Sequence, residues 1–190
     1  MFKQLIIASA LLSSLTAFAA TETVQIDPAA SKIVWVGKKV TGQHTGEVKI
    51  SEGQLQFDGA NFKGANFTVD MTTITNTDLT DAEYNKKLVG HLNSDDFFAV
   101  EKNKTAKFVT KSVSKVKDNT YKVTGDLTIK GKTVPNTFNA DVTKSGASAV
   151  VTFDRTKYDV KYGSGKFFQG LGDKMINDDV QLTVTLTPKK

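Results

Sequence analysis

The clearest regularity in the chain is a strict alternation of apolar and polar positions. From Tyr121 to Lys130 one face reads Tyr121, Val123, Gly125, Leu127 and Ile129, and the other reads Lys122, Thr124, Asp126, Thr128 and Lys130. Successive side chains of a strand point to opposite faces, so the run predicts a β-strand with one dry and one wet side. The chain turns at Lys130-Gly131 and returns through Val134, Phe138, Ala140 and Val142, interleaved with Pro135, Thr137, Asn139 and Asp141. A tight glycine-containing connection between two alternating runs predicts a hairpin. Pro135 has no N–H for a ladder, which predicts a bulge or a locally unpaired position there.

The same period recurs at Ile33 and Trp35, Val48 and Ile50, Leu55 and Phe57, and Ala65 through Phe67, Val69 and Met71. It returns at Ala106 and Phe108, at Ala149, Val151 and Phe153, and at Val180, Leu182, Val184 and Leu186. Connectors such as Ser51-Glu52-Gly53, Asp58-Gly59 and Lys144-Ser145-Gly146 separate these runs. About eight short alternating strands in one domain predict a β-sandwich or an antiparallel up-and-down barrel. One segment breaks the pattern. Thr80 followed three residues later by Glu83 reads as a capping box, and Tyr84, Leu88 and His91 or Leu92 follow at helical spacing. Ser94-Asp95-Asp96 reads as a second cap, which predicts a short helical turn at Phe97-Phe98.

The N-terminus sets the compartment. Lys3 precedes an apolar run from Leu5 to Phe18, which closes on Ala17-Phe18-Ala19-Ala20. Those features predict a secretory signal peptide over residues 1–20, cleaved near Ala19-Ala20; a bilayer span would need ~20 apolar residues. Residues 21–190 then form one domain, large enough to bury a core without staples. The chain has no cysteine, which excludes disulfides, thiolate zinc sites, thiol catalysis and a cysteine-borne lipid anchor. The formal charge is +5, but the lysines are dispersed and Arg155 is the only arginine. That argues against a nucleic-acid partner, whose recognition favours clustered arginine. With no second long apolar stretch, stable membrane insertion is not expected, and weak attraction to anionic membranes stays open.

The sequence carries no catalytic constellation. His44 and His91 have no metal-ligand spacing to each other or to carboxylates. There is no Gly-x-Ser-x-Gly elbow, and Lys161-Tyr162-Gly163-Ser164-Gly165-Lys166 lacks the spacing and context of a phosphate loop. Asp95-Asp96 and Asp178-Asp179 read as element starts. The expectation is therefore a non-enzyme with no catalytic residue, no metal site and no cofactor. What the sequence does offer is bulk on one face of the strands: Trp35, Phe57, Phe67, Val69, Phe108, Leu127, Phe138 and Phe153. Phe97, Phe98, Phe167 and Phe168 add apolar pairs outside the strands. These twelve residues are the candidate lining of an apolar ligand site. Small inward residues (Gly37, Ala65, Ala106, Gly125, Ala140, Ala149) would leave space in a closed barrel, which either fills with side chains or holds one ligand. The residues alone leave cavity and solid core both open. Either phenylalanine pair would plug a barrel end, and for Phe167-Phe168 the surrounding glycines also suit a mobile gate.

Several runs resemble a known family. His91-Leu92-Asn93-Ser94-Asp95-Asp96-Phe97-Phe98-Ala99-Val100, followed by Lys107-Phe108, is similar to the H-L-x-S-x-D-F-F-x-V … F segment of the YceI-like proteins. Thr124 to Gly131 resembles that family's T-G-D-L-T-I-x-G hairpin, and Asp27-Pro28, Phe153-Asp154-Arg155-Thr156 and Leu171-Gly172-Asp173 match its other landmarks. The resemblance implies a lipocalin-like antiparallel barrel with one inserted helix, located in the periplasm, that binds a polyisoprenoid lipid or a quinone in an elongated lumen. The chain departs from the family at Trp35, where Phe is usual, and in the long Gly163–Gly172 connector. Two other readings stand beside lipid carriage: an enzyme acting on such a lipid, and a ligand-free interaction module in envelope stress.

Overall fold

The computed structural model describes residues 21–190. The expected signal peptide lies outside the described residues. Nine strands follow one another: β1 (Glu22–Gln25), β2 (Lys32–Lys39), β3 (Gly42–Asp58), β4 (Asn61–Asp70), β5 (Thr105–Lys117), β6 (Thr120–Ile129), β7 (Lys132–Thr143), β8 (Gly146–Asp154) and β9 (Ile176–Leu186). From β2 onward each strand pairs antiparallel with the next, and β9 returns to β2. The result is a closed eight-stranded up-and-down barrel; β1 is an extra strand laid along the end of β3, with Glu22 opposite Phe57. Closure removes the unpaired edges that an open sheet would expose.

The wall follows the alternation. In β6, Tyr121, Val123, Leu127 and Ile129 are buried while their neighbours are wholly or partly exposed. Lys130 (φ 51°) and Gly131 (φ 70°) make a two-residue turn with both residues left-handed, the geometry that matches strand twist. Pro135 sits in unbroken register opposite Asp126, so there is no bulge. Counting from the Ile129–Lys132 pair that flanks the turn, Pro135 falls at a non-hydrogen-bonded site of the β6–β7 ladder. Its nitrogen therefore faces β8, and the β7–β8 ladder has already ended at Ala140–Ala149.

Three expectations from the sequence are corrected. Ser51-Glu52-Gly53 is not a turn: β3 runs 17 residues straight through it, with a register shift between Ile50 and Glu52. The bulge bends the strand, so its first half pairs with β2 and its second with β4 and β1. Ser51 Oγ donates to Thr68 O at 3.1 Å, and a Cβ on Gly53 would stand 2.9 Å from that of Phe67. The helix α1 (Ala82–Asn93) is capped by Asp81 rather than Thr80; the Asp81 carboxylate accepts from the N–H groups of Glu83 and Tyr84, both at 2.9 Å. Ser94 starts no second helix. Its hydroxyl donates to His91 O at 2.8 Å and its carbonyl accepts from Phe97 and Ala99, closing α1 and shaping a tight turn that aims Phe97 inward.

The β2–β3 and β6–β7 turns, α1 with its link to β5, and the Arg155–Met175 segment gather at one end of the barrel. The short β3–β4, β5–β6 and β7–β8 turns close the other. No helix among the described residues is long and apolar enough to cross a membrane.

Candidate functional site

The lumen holds a cavity of about 140 Å3 beneath the end that carries α1. Its wall is almost wholly apolar. Nine of the twelve candidate residues line it: Trp35, Phe67, Val69, Phe97, Phe98, Phe108, Leu127, Phe138 and Phe153. A second chamber of about 40 Å3 lies deeper, and Phe67, Phe108 and Phe138 border both. Phe108 stacks on Phe67 at 5.5 Å and tilts against Phe138 at 5.3 Å, so three rings form a partition across the barrel. Gly125 does not open space as the sequence suggested. The Phe108 ring occupies it, and a Cβ there would lie 2.5 Å from Phe108 Cζ. Trp35 is locked by its indole N–H, which donates to Thr75 O at 3.0 Å, and its ring lies over Gly46.

Three candidates are elsewhere. Phe57 is buried but packs edge-on against Phe62 at 5.8 Å, which itself meets Tyr121, so it belongs to the packing at the closed end and lines neither chamber. Phe167 and Phe168 remain 49% and 48% exposed. Their amides both donate to Ser164 O, which turns the connector outward across the barrel end. The plug inside that connector is a different cluster: His91 lies edge-on to Phe97 at 4.8 Å and to Tyr162 at 4.5 Å.

Lys107, Asn136, Arg155 and Asn177 are the polar residues at the cavity wall, and the inward placement of Arg155 and Asn136 was not foreseen. Arg155 continues the inward register of Val151 and Phe153 past the end of β8 and is 2% exposed. Its Nε donates to Asn177 O, Nη1 to Val160 O and Tyr162 O, and Nη2 to Ile176 O, at 2.8–3.1 Å. Asp178 Oδ1 stands 3.6 Å from Nη2. Burial pushes the guanidinium below its usual value, and the Asp178 and Asp154 charges pull it back. With four of its five N–H groups committed to carbonyls and the Asp178 carboxylate beside Nη2, Arg155 staples the connector and is not free for an anionic head group. Asn136 occupies the inward position between Val134 and Phe138, opposite Gly125, and donates to Thr152 O at 3.0 Å. Both residues share the parity of their inward apolar neighbours, and that parity is the signal that marks them.

Neither histidine sits in a catalytic arrangement. His44 Nδ1 is 2.8 Å from Asp78 Oδ2 on the outer surface. Burial raises the Asp78 carboxyl, but the N–H of Thr45 together with His44 and Asn76 outweighs it and holds it below the ordinary carboxylate value. Among the described residues no group of three or more His, Cys, Asp or Glu is placed to hold a metal ion.

Comparison with known proteins agrees with this geometry. Two UPF0312 proteins of Pseudomonas putida are each 48% identical over 56 residues, which is 30% of this chain; the match spans only 29% of the length of those curated relatives. The crystal structure of Burkholderia cenocepacia BcnA superposes with a TM-score of 0.66 at 28% identity, covering 85% of this chain and 98% of that one. A polyisoprenoid binding domain from Saccharophagus degradans gives 0.57 at 14% identity, covering 87% and 97%, and a Campylobacter jejuni YceI protein gives 0.53 at 20%, covering 98% and 92%. At those identities the last two speak for the fold alone. The family model of the YceI-like domain matches residues 24–187, and the chain belongs to the YceI-like family.

Proposed function

We propose that this protein is a periplasmic carrier or sequestering protein that holds a long isoprenoid lipid or quinone in the barrel lumen, and that it catalyses no reaction. The observation that carries the reading is the cavity wall: side chains from strands all round the barrel present carbon to an enclosed space, with Arg155 already satisfied by carbonyls. An isoprenoid chain has no solvent in an aqueous compartment, and each Å2 of apolar surface taken from water contributes ~25 cal/mol. The polyisoprenoid binding domain that shares the fold supports the ligand class. The secretory leader expected from the sequence of residues 1–20 supports the compartment. The described cavity suits a segment of such a chain, so a long ligand requires the ring partition to move.

Organic extraction and native mass spectrometry of protein purified from a periplasmic fraction test the reading. An apolar lipid in stoichiometric amount is expected. Protein that is reproducibly empty, and that takes up neither farnesol nor solanesol, would overturn it.

A further inference from the structure

Among the described residues nine large apolar side chains are exposed, and five of them, Val40, Tyr162, Phe167, Phe168 and Met175, lie on segments that meet at one end of the barrel. Their contiguity is built by the backbone. Val40 N–H donates to Met175 O at 3.2 Å, which ties the β2–β3 turn to the start of β9. A Cβ on Gly165 would stand 2.8 Å from Met175 Sδ, so the connector lies directly against that methionine. Phe167 and Phe168 then turn back over Ser164, and Tyr162 precedes them in the same loop. The patch is also joined to the ligand cavity, because Tyr162 packs at 5.6 Å on Phe97, which lines it. Exposed aromatic clusters of this kind mark binding surfaces.

Charge around the patch selects the partner. Lys38, Lys39, Lys161, Lys166 and Lys174 are exposed at its rim. Lys161 Nζ lies 5.2 Å from the centre of the Phe167 ring. The nearby acids Asp154, Asp159 and Asp178 are held by Lys166, Lys132 and Lys161. Among the described residues Lys38, Lys39 and Lys174 have no carboxylate partner, against Asp173 and Asp179 as the unpaired acids. Aromatic and thioether groups at a tip, ringed by lysines that keep their heads in water, match the bilayer interface: rings enter the head-group boundary while ammonium groups meet lipid phosphates.

We infer that the end of the barrel carrying Val40, Tyr162, Phe167, Phe168 and Met175 docks on an anionic phospholipid surface and presents the mouth of the cavity to the membrane. The inference rests on the lipid-carrier reading for its purpose, since a carrier must meet a membrane to load or unload.

Co-sedimentation with vesicles of phosphatidylcholine, with and without phosphatidylglycerol, tests it on the mature protein. At low salt the protein is expected to partition onto the phosphatidylglycerol vesicles and to release as salt rises. Phe167→Ser with Phe168→Ser should lower that partitioning by about tenfold or more, with the thermal melting midpoint nearly unchanged because both rings are exposed. Lys38→Gln, Lys39→Gln and Lys174→Gln together should lower it on anionic vesicles only, a second arm that stands if the serine variant is poorly folded. No binding to anionic vesicles at low salt, or binding that both variants retain in full, overturns the inference. So does patch-dependent self-association without vesicle binding, which would make a second copy the occupant. Docking by a protein that never yields lipid would sink the carrier reading instead, and bound lipid without docking would sink only this one.

Discussion

Phe67 and Phe108 face each other across the β4–β5 ladder with ring centroids 5.5 Å apart, and together with Phe138 they divide the lumen into two chambers. The partition, rather than the barrel wall, limits how deep a guest chain reaches. Phe108→Ala and Phe138→Ala should each merge the chambers and raise the affinity for solanesol relative to farnesol. Phe108 is 3% exposed, so its truncation should also cost about 3–5 kcal/mol in ligand-free protein. Urea unfolding and lipid titration on the same samples separate the effects; a large stability loss with an unchanged chain-length preference would mean that the rings are only core.

The helix cap makes a prediction that discriminates between neighbours. Asp81 accepts two N–H bonds at the start of α1, whereas Thr80 lies outside the first turn. Asp81→Ala should destabilise by about 1 kcal/mol and Thr80→Ala by much less. Equal losses in urea midpoint would return the cap to Thr80.

Most of the barrel was legible because one rule generates it: a strand buried on one face repeats every second residue. That rule placed Trp35, Phe67, Phe108, Phe138 and Phe153 on the lumen wall, where they are. It failed where depth along the barrel mattered. Phe57 has the right parity but sits at the closed end against Phe62, and parity carries no information on distance from a mouth. Phe167 and Phe168 lie in a connector, where no period applies, and apolar character alone left a buried plug and a mobile gate both open. The bulge at Ser51 read as a turn because polar residues with a glycine serve both purposes; what separates them is the partner strand, which is nonlocal.

Arg155 should be the costliest single polar residue to lose. Arg155→Met keeps the length but leaves the carbonyls of Asn177, Val160, Tyr162 and Ile176 without their donor, and Asp178 without its nearest buried cation. Breaking one side of such a buried network costs about 3–5 kcal/mol. Arg155→Lys retains the charge but lacks the planar fork, so it should rescue only part of the loss. Thermal melting of the three proteins checks this. A methionine variant as stable as the parent would show that the connector is held by its apolar contacts.

Alkaline pH should weaken the fold through Tyr158. This residue is 1% exposed, packs edge-on to Phe153 at 5.6 Å, and ends the short turn that Asp154 caps. Burial first, and the Asp154 charge second, push its phenol from an ordinary value of 10.0 up to about 12. Both causes disfavour the phenolate, so the folded state holds its proton where the unfolded chain has released it. The stabilising contribution is therefore complete below pH 10.0 and is lost as pH rises through about 12. A gap of this size corresponds to roughly 3 kcal/mol at most. Tyr158→Phe removes the titration while keeping the ring, so the parent should lose more stability than the variant between about pH 8 and about pH 12. Lysine titration is common to both proteins and cancels in the comparison. Urea midpoints measured along that range, with phenolate absorbance followed in parallel, provide the check; identical pH profiles would mean that Tyr158 ionises without opposing the fold.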